Sequence, residues 1–451
     1  MRKSRLATGI VAVAVLAGTA ACSAGSSTDD DGKLTFMFRG GEDEKAAYQE
    51  AIDRFSEETG VEVEVIVTDA DQYATKLQAA ISGNNVPDVF YIEQASLQSY
   101  VTSGVLLDIT TYVEDSGVDL DNIWEYGVDS YRFDGKLQGT PDGALYGLPK
   151  DVGPFAMGYN KTMLEQEGIE LPDEDEPLTW DEWLDILKDV TKDTDGDGEL
   201  DQWGTGLNVQ WNMQGFAWSN GADWTNEDKT QVTVDTPEMA EAMQFVADLT
   251  TKHEVSPSAE QAATLDTYQR WMEGELAFFP VGPWDVPVYN ELDFEYDLMP
   301  FPAGSTGEPA TWIGSLGIGV SGTTAMPEEA AKLVTYLSAD ETAQQTLVDA
   351  GIQVPNLKDV ATEWAAEEDA EPANRQEFLE IIEEYGRPMP AATTYGAAWY
   401  DEMWTNIQPV IDGKQTAAEY LEEVQPRMQQ LLDEANTQAE QAAAANAGAE
   451  G

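Results

Sequence analysis

The chemistry this chain can offer lies in its indoles and its carboxylates. There are 13 tryptophans. Trp211, Trp218, Trp224, Trp284, Trp312 and Trp399 lie close to Gly, Asn or Pro, where loops are expected at the ends of elements. Trp180 and Trp183 read instead as core residues on a helix face. A flat indole presents an apolar face to the C–H face of a sugar ring, while its N–H still donates. Carboxylates accept charge-assisted hydrogen bonds from hydroxyls. Together they describe a carbohydrate site, although core packing accounts for any single tryptophan.

Other constellations are missing or incomplete. His253 is the only histidine and follows a helix, so it offers at most one general base. Cys22 is the only cysteine. No phosphate-cradling G-x-x-x-x-G-K-[ST] motif occurs, and "GGEDE" lacks dinucleotide-binding spacing. Paired carboxylates for glycoside hydrolysis remain open, but among 85 acidic residues a pair distinguishes nothing. The run "DTDGDGELD" spaces Asp193, Asp195, Asp197, Glu199 and Asp201 like the first half of a calcium loop. Its twelfth position is Gly204 instead of a bidentate glutamate. A structural calcium site and a plain acidic turn are both open.

The elements that would position these residues alternate. "KLTFMF" is a short strand. Tyr48, Ile52 and Phe55 have helical spacing up to Gly60, and Val61, Val63 and Val65 share one face of a strand. Tyr73, Leu77 and Ile81 mark a second helix, and "DVFYI" reads as a strand covered on both faces. Strand, helix, strand, helix, strand is an α/β layer plan. Further on, Thr179 and Glu182 form a capping box, with Leu178 and Trp183 as its staple. Pro237 opens another helix after Thr236, "ELAFF" is a buried strand, and a helix spans about 327–337.

The length of 451 residues suits two domains. With 23 basic against 85 acidic residues, the net charge is -62. That surface excludes nucleic acid and anionic membranes as partners, since both are bound through lysine and arginine. The acidity itself is read as solubility.

Arg2, Lys3 and Arg5 precede an apolar run, Leu6 to Ala21, laid out like a secretory signal. The run 16–22, ending at Cys22, resembles a bacterial lipobox, with Thr19 where leucine is more usual. Residues 1–22 are therefore expected to be a lipoprotein signal peptide ending at a lipidated Cys22. Residues 23–32 would be a flexible tether, and 436–451 a low-complexity tail that frays.

Seven stretches in order, from "FRGGEDEKAAYQEAIDRFSEETGVEVEV" through "LYGLPKDVGPFAMGYNKTMLEQEGI" and "GELAFFPVGPWD" to "GIQVP", resemble the family 1 extracellular solute-binding proteins of bacterial ABC importers. This family includes maltose- and other sugar-binding proteins. The resemblance covers roughly residues 33 to 430. It implies an α/β, periplasmic-binding-protein-like (type II) fold of two lobes with a hinge and an interlobe ligand cleft. Lobe 1 is expected at about 33–145 plus 286–340, and lobe 2 at about 146–285 plus 341–435.

By the same resemblance, Arg39, Gly41, Glu42, Glu93 and Asp151 stand at sugar-contacting positions, and Trp284 matches a stacking tryptophan. Trp312 and Trp399 are expected partners, with Trp218 and Trp224 in a looser match. The implied protein is a monomer that captures a sugar, most simply an oligosaccharide, and hands it to permease subunits. It would sit outside the cell membrane, attached only through its lipid, and need no cofactor beyond the calcium left open above. The readings set against it are a secreted carbohydrate-active enzyme with paired carboxylates and an adhesive calcium protein.

Overall fold

A computed structural model describes residues 32–173, 176–207, 209–367 and 370–449. Cys22 and the signal and tether expectations lie outside them, apart from Gly32.

The strand Lys33–Arg39 is followed by the helix Glu42–Thr59, which ends where Gly60 takes a left-handed conformation at φ 75°. The next strand, Glu62–Thr68, alternates exposed glutamates with half-buried valines, as suits a sheet edge packed on one face. It pairs in parallel with Lys33–Arg39, which pairs in parallel with Val89–Glu93. The sheet is completed by Leu316–Val320 and Gly147–Pro149, giving five strands in the order 62–68, 33–39, 89–93, 316–320, 147–149. Phe36, Phe38, Tyr48, Tyr91, Ile318 and Leu333 are among the side chains of its core.

A second sheet of four strands has the order Tyr296–Met299, Ala156–Asn160, Leu276–Val281, Trp203–Thr205. Against it pack Trp183, Phe216, Trp224, Trp399 and Leu421 on one side and Trp271, Tyr289 and Phe378 on the other. The capping box at Thr179 is formed in both directions. Each sheet therefore has its own core, which makes the two lobes.

A small sheet joins them. Gly153–Pro154, Thr311–Gly314 and Gly386–Pro388 pair side by side. Three residues, Lys150 to Val152, carry the chain from Gly147–Pro149 into it, and Ser315 alone leads from it to Leu316–Val320.

These pairings move the expected lobe boundaries. Tyr296–Met299 pairs with Ala156–Asn160 in the second sheet, so the segment from 286 does not start the return to the first lobe. That return comes at Ser315. Gly147–Pro149 pairs with Leu316–Val320 in the first sheet. Ala343, Leu347, Leu357 and Val360 lie in the first core, beyond the expected end at 340. The tail also differs from expectation: one helix runs from Ala417 to Ala449. Alanine has the highest helix propensity, and here that preference extends the helix through the low-complexity stretch.

Candidate functional site

In open α/β sheets, ligands sit beyond the carboxyl ends of the strands. Arg39 and Glu93 end two adjacent parallel strands of the first sheet and therefore face the same space. They form an ion pair at 2.9 Å. Both line a cleft of about 850 Å³ between the lobes. Burial raises the Glu93 carboxyl above its ordinary range, and the Arg39 guanidinium works against that rise.

Gly41 and Glu42 line the cleft at the start of the helix Glu42–Thr59, where Gly41 is the cap. Glu42, Asp43 and Glu44 fill the first helical turn, where carboxylates complement the helix dipole.

The floor is the first crossing between lobes. Lys150 has only 6% of its side chain exposed and bonds Asp151 Oδ2 at 2.9 Å, with Glu44 Oε1 at 3.7 Å. Burial alone would lower the ammonium pKa, but Asp151 and Glu44 outweigh it and the net shift is upward. Asp151 Oδ1 accepts from the Leu316 N–H, and Ser315 Oγ donates to the Asp151 carbonyl at 2.5 Å.

The opposite wall is aromatic. Trp284 is 42% exposed and Trp211 45%. Trp312 lies between them, with ring centroids 6.4 Å from Trp284 and 5.6 Å from Trp211, and it stacks on Phe155 at 4.9 Å. Close approach of backbone seats Trp284. A Cβ on Gly282 would come within 2.3 Å of its ring, and one on Gly153 within 2.8 Å. Next to it, burial raises the Asp285 carboxyl to about 6, against a hydrogen bond from Trp284.

The structure thus brings Arg39, Gly41, Glu42, Glu93, Asp151, Trp284 and Trp312 into one cleft. It does not bring Trp218, Trp224 or Trp399 there. Trp218 and Trp224 form an edge-to-face pair in the second core, 3% and 0% exposed. Trp399 is also fully buried, its N–H donating to Thr394 Oγ1 at 2.9 Å. Core packing accounts for all three. The cleft takes the neighbouring Tyr400 and Asp401 instead, together with Lys150, none of which was placed in the site from sequence, and Trp211, which the sequence offered among the tryptophans of a carbohydrate site without a matching family position.

The acidic loop lies apart from the cleft-lining residues. Asp193, Asp195 and Asp197 each place a carboxylate oxygen within 4.8 Å of the others. Asp193 accepts from the N–H groups of Gly196 and Gly198. Asp201 instead holds Thr194 through its N–H and hydroxyl, and Glu199 is not in the group. Gly204, at the twelfth loop position, lies in the strand Trp203–Thr205 against the helix Trp180–Val190. A Cβ there would meet Leu187 Cα at 2.7 Å, so no glutamate fits. Three carboxylates suit calcium; the ligand set of a full calcium loop is not assembled.

The model of the bacterial extracellular solute-binding protein family matches residues 40–344. A maltodextrin-binding protein of Bacillus subtilis is 24% identical over 406 residues, 89% of this chain and 90% of that protein. An arabinooligosaccharide-binding protein of Halalkalibacterium halodurans is 26% identical over 288 residues, and the matched part is 60% of its length. Among solved structures, an ABC substrate-binding protein of Listeria monocytogenes in complex with cycloalternan superposes with a TM-score of 0.76 at 23% identity, over 89% of this chain and 99% of that one. The GacH receptor of Streptomyces glaucescens, solved unliganded and with acarbose, gives 0.72 at 21% identity, with coverage of 89% and 99%. These likenesses establish the two-lobe fold.

Proposed function

The chain belongs to the bacterial extracellular solute-binding protein family, and on that premise we propose that it captures a sugar in the interlobe cleft and delivers it to an ABC permease. One observation carries the reading: an aromatic wall of Trp211, Trp284 and Trp312 faces a carboxylate wall across a hinge of short crossings. The indoles would stack on ring faces, and Glu42, Glu93 and Asp151 would accept from hydroxyls. Closure would be driven by contacts the ligand makes to both walls at once. The length of the aromatic row supports an oligosaccharide, as do the oligosaccharide-binding relatives.

In this reading the protein turns nothing over and acts as a monomer. The permease and its ATPase would do the transport. Lipidation at Cys22 would hold it outside the membrane. No helix among the described residues is long and apolar enough to cross a bilayer. The Asp193–Asp197 group is carried as a proposed structural calcium site.

Thermal melting against a panel of mono- and oligosaccharides, with and without EDTA, is the test. A ligand that binds only the folded chain raises the melting temperature by mass action. A shift with an unconsumed sugar supports capture. Hydrolysis of a panel member overturns it in favour of an enzyme, and no shift with any sugar overturns the sugar assignment. A drop in melting temperature with EDTA, restored by calcium, supports the metal site. Mass spectrometry of the exported protein checks for lipid on Cys22.

A further inference from the structure

The cleft's charge is one-sided. Its lining holds two cations, Arg39 and Lys150, and both are already engaged. Arg39 is 2.9 Å from Glu93, and Lys150 is 2.9 Å from Asp151 and 3.7 Å from Glu44. A ligand phosphate or uronate would have to draw one of these cations away. Drawing Lys150 away would leave Asp151, 17% exposed, without its buried partner, which is strongly unfavourable; the Arg39–Glu93 pair is more exposed and would lose less.

Two further cleft carboxylates, Asp43 and Asp401, have no ion-pair partner among the described residues. Asp401 follows Tyr400 on the helix Ala398–Thr405. Tyr400 is hydrogen-bonded to Gln214, on the helix that also carries Trp211. The helices that carry Asp401 and Trp211 are thus bonded to each other, and both residues line the cleft. Partial burial alone raises the Asp401 carboxyl, as expected when no cation is near.

The aromatic wall offers two exposed indoles, Trp211 at 45% and Trp284 at 42%. Aromatic faces also attract cations through their quadrupoles, and like-charged walls of low dielectric concentrate the field on a ligand of opposite charge.

We propose that this cleft takes saccharides bearing a basic amine in preference to neutral ones and rejects sugar acids and sugar phosphates. The inference rests on the sugar-capture reading. In it the sugar rings lie against the exposed indoles of Trp211 and Trp284, and the ammonium is held by the cleft carboxylates of Asp401 and Asp43.

The experiment is calorimetric titration of the full chain with maltotriose and cellotriose. Each is offered as the neutral sugar, as its 6-amino-6-deoxy form and as its 6-uronate. The expected result is an amine form that binds at least about tenfold tighter than its neutral parent, or ~1.4 kcal/mol, with the uronate weaker than both. The amine preference should shrink as salt is raised, because exposed charges are screened. It should fall towards unity in the Asp43→Asn/Asp401→Asn double variant. A neutral sugar binding as well as its amine overturns the inference and leaves sugar capture standing. A preference insensitive to both salt and the double variant also overturns it. Absence of binding by every member overturns the sugar reading and this refinement with it.

Discussion

The Asp151 carboxylate accepts a hydrogen bond from the backbone N–H of Leu316 at 3.1 Å, although 165 residues separate them. Asp151 lies on the first crossing between the lobes, and Leu316 begins the strand reached by the second. Lys150 N–H donates to the Leu316 carbonyl at 2.7 Å, so the two crossings are tied in both directions. Tyr131 fixes the same point from the first core, its hydroxyl donating to Ser315 Oγ at 3.0 Å. Two of the chain's crossings between the lobes are locked together at this junction.

Asp151→Ala should therefore destabilise strongly. It leaves Lys150 buried with only the more distant Glu44, and removing one partner of a buried pair costs about 3 kcal/mol. Asp151→Asn keeps an acceptor for Leu316 and should cost less than Asp151→Ala. Urea unfolding of the two variants measures the order, and equal losses would show that the Leu316 bond carries none of the effect.

Trp284 and Trp399 should separate binding from folding. Trp284 is 42% exposed, so Trp284→Ala should weaken sugar binding about tenfold, ~1.4 kcal/mol, with little change in melting temperature. Trp399 is fully buried, and Trp399→Ala should cost about 3–5 kcal/mol of stability. Melting and titration of both variants check the contrast.

Asp285 should give stability a pH dependence of known sign. Burial lifts its carboxyl from the ordinary 3.8 to about 6, so the folded chain holds a proton that the unfolded chain has lost. Its contribution is complete below about pH 4 and disappears as pH rises through 6. Asp285→Asn removes that loss. The variant's melting temperature should overtake that of the parent between pH 4 and 7, with a gain at neutral pH of about 1 kcal/mol after allowance for its partial exposure.

Gly204→Ala should cost about 1–3 kcal/mol through overpacking. The added methyl meets the backbone of the helix Trp180–Val190 at Leu187, which has no free rotamer with which to yield. Denaturant titration gives the number; an unchanged midpoint would mean the helix shifts freely away from the strand Trp203–Thr205.

Much of this fold was legible because its signals are local. Gly60 stops a helix, Thr179 and Glu182 cap one, and "DVFYI" is apolar on both faces because side chains of the packed helices bury both. Lobe boundaries were less legible. Whether Tyr296–Met299 pairs with Ala156–Asn160 depends on partners far away in the chain, and nothing in the segment's own composition decides it. The stacking tryptophans divided in the same way. Trp284 and Trp312 lie in motifs that hold together as sequence. Trp211 and Trp218 are seven residues apart on one helix and so lie near the same face, yet one is 45% exposed and the other 3%. What separates them is position along the axis: the helix carries Trp218 into the core and ends in the cleft with Trp211. Periodicity specifies the face and leaves the depth open. Asp43, Lys150 and Asp401 were hidden for a different reason, since among 85 acidic residues only position distinguishes one carboxylate from another.

The insertion of Leu316–Val320 between Val89–Glu93 and Gly147–Pro149 also constrains the order of events when the chain is made. Synthesis runs from the amino end, so Val89–Glu93 emerges more than 200 residues before the strand that covers its edge. Until then the first lobe is an incomplete sheet with an apolar open edge, the kind of surface that invites pairing with another chain. The second-sheet strands from Ala156–Asn160 to Tyr296–Met299 lie between these first-lobe strands in the chain and have to be accommodated before the first lobe can close. Such long-range closure makes for slow folding. The newborn chain therefore passes through a prolonged interval of vulnerability, in which a holding chaperone has the most to protect.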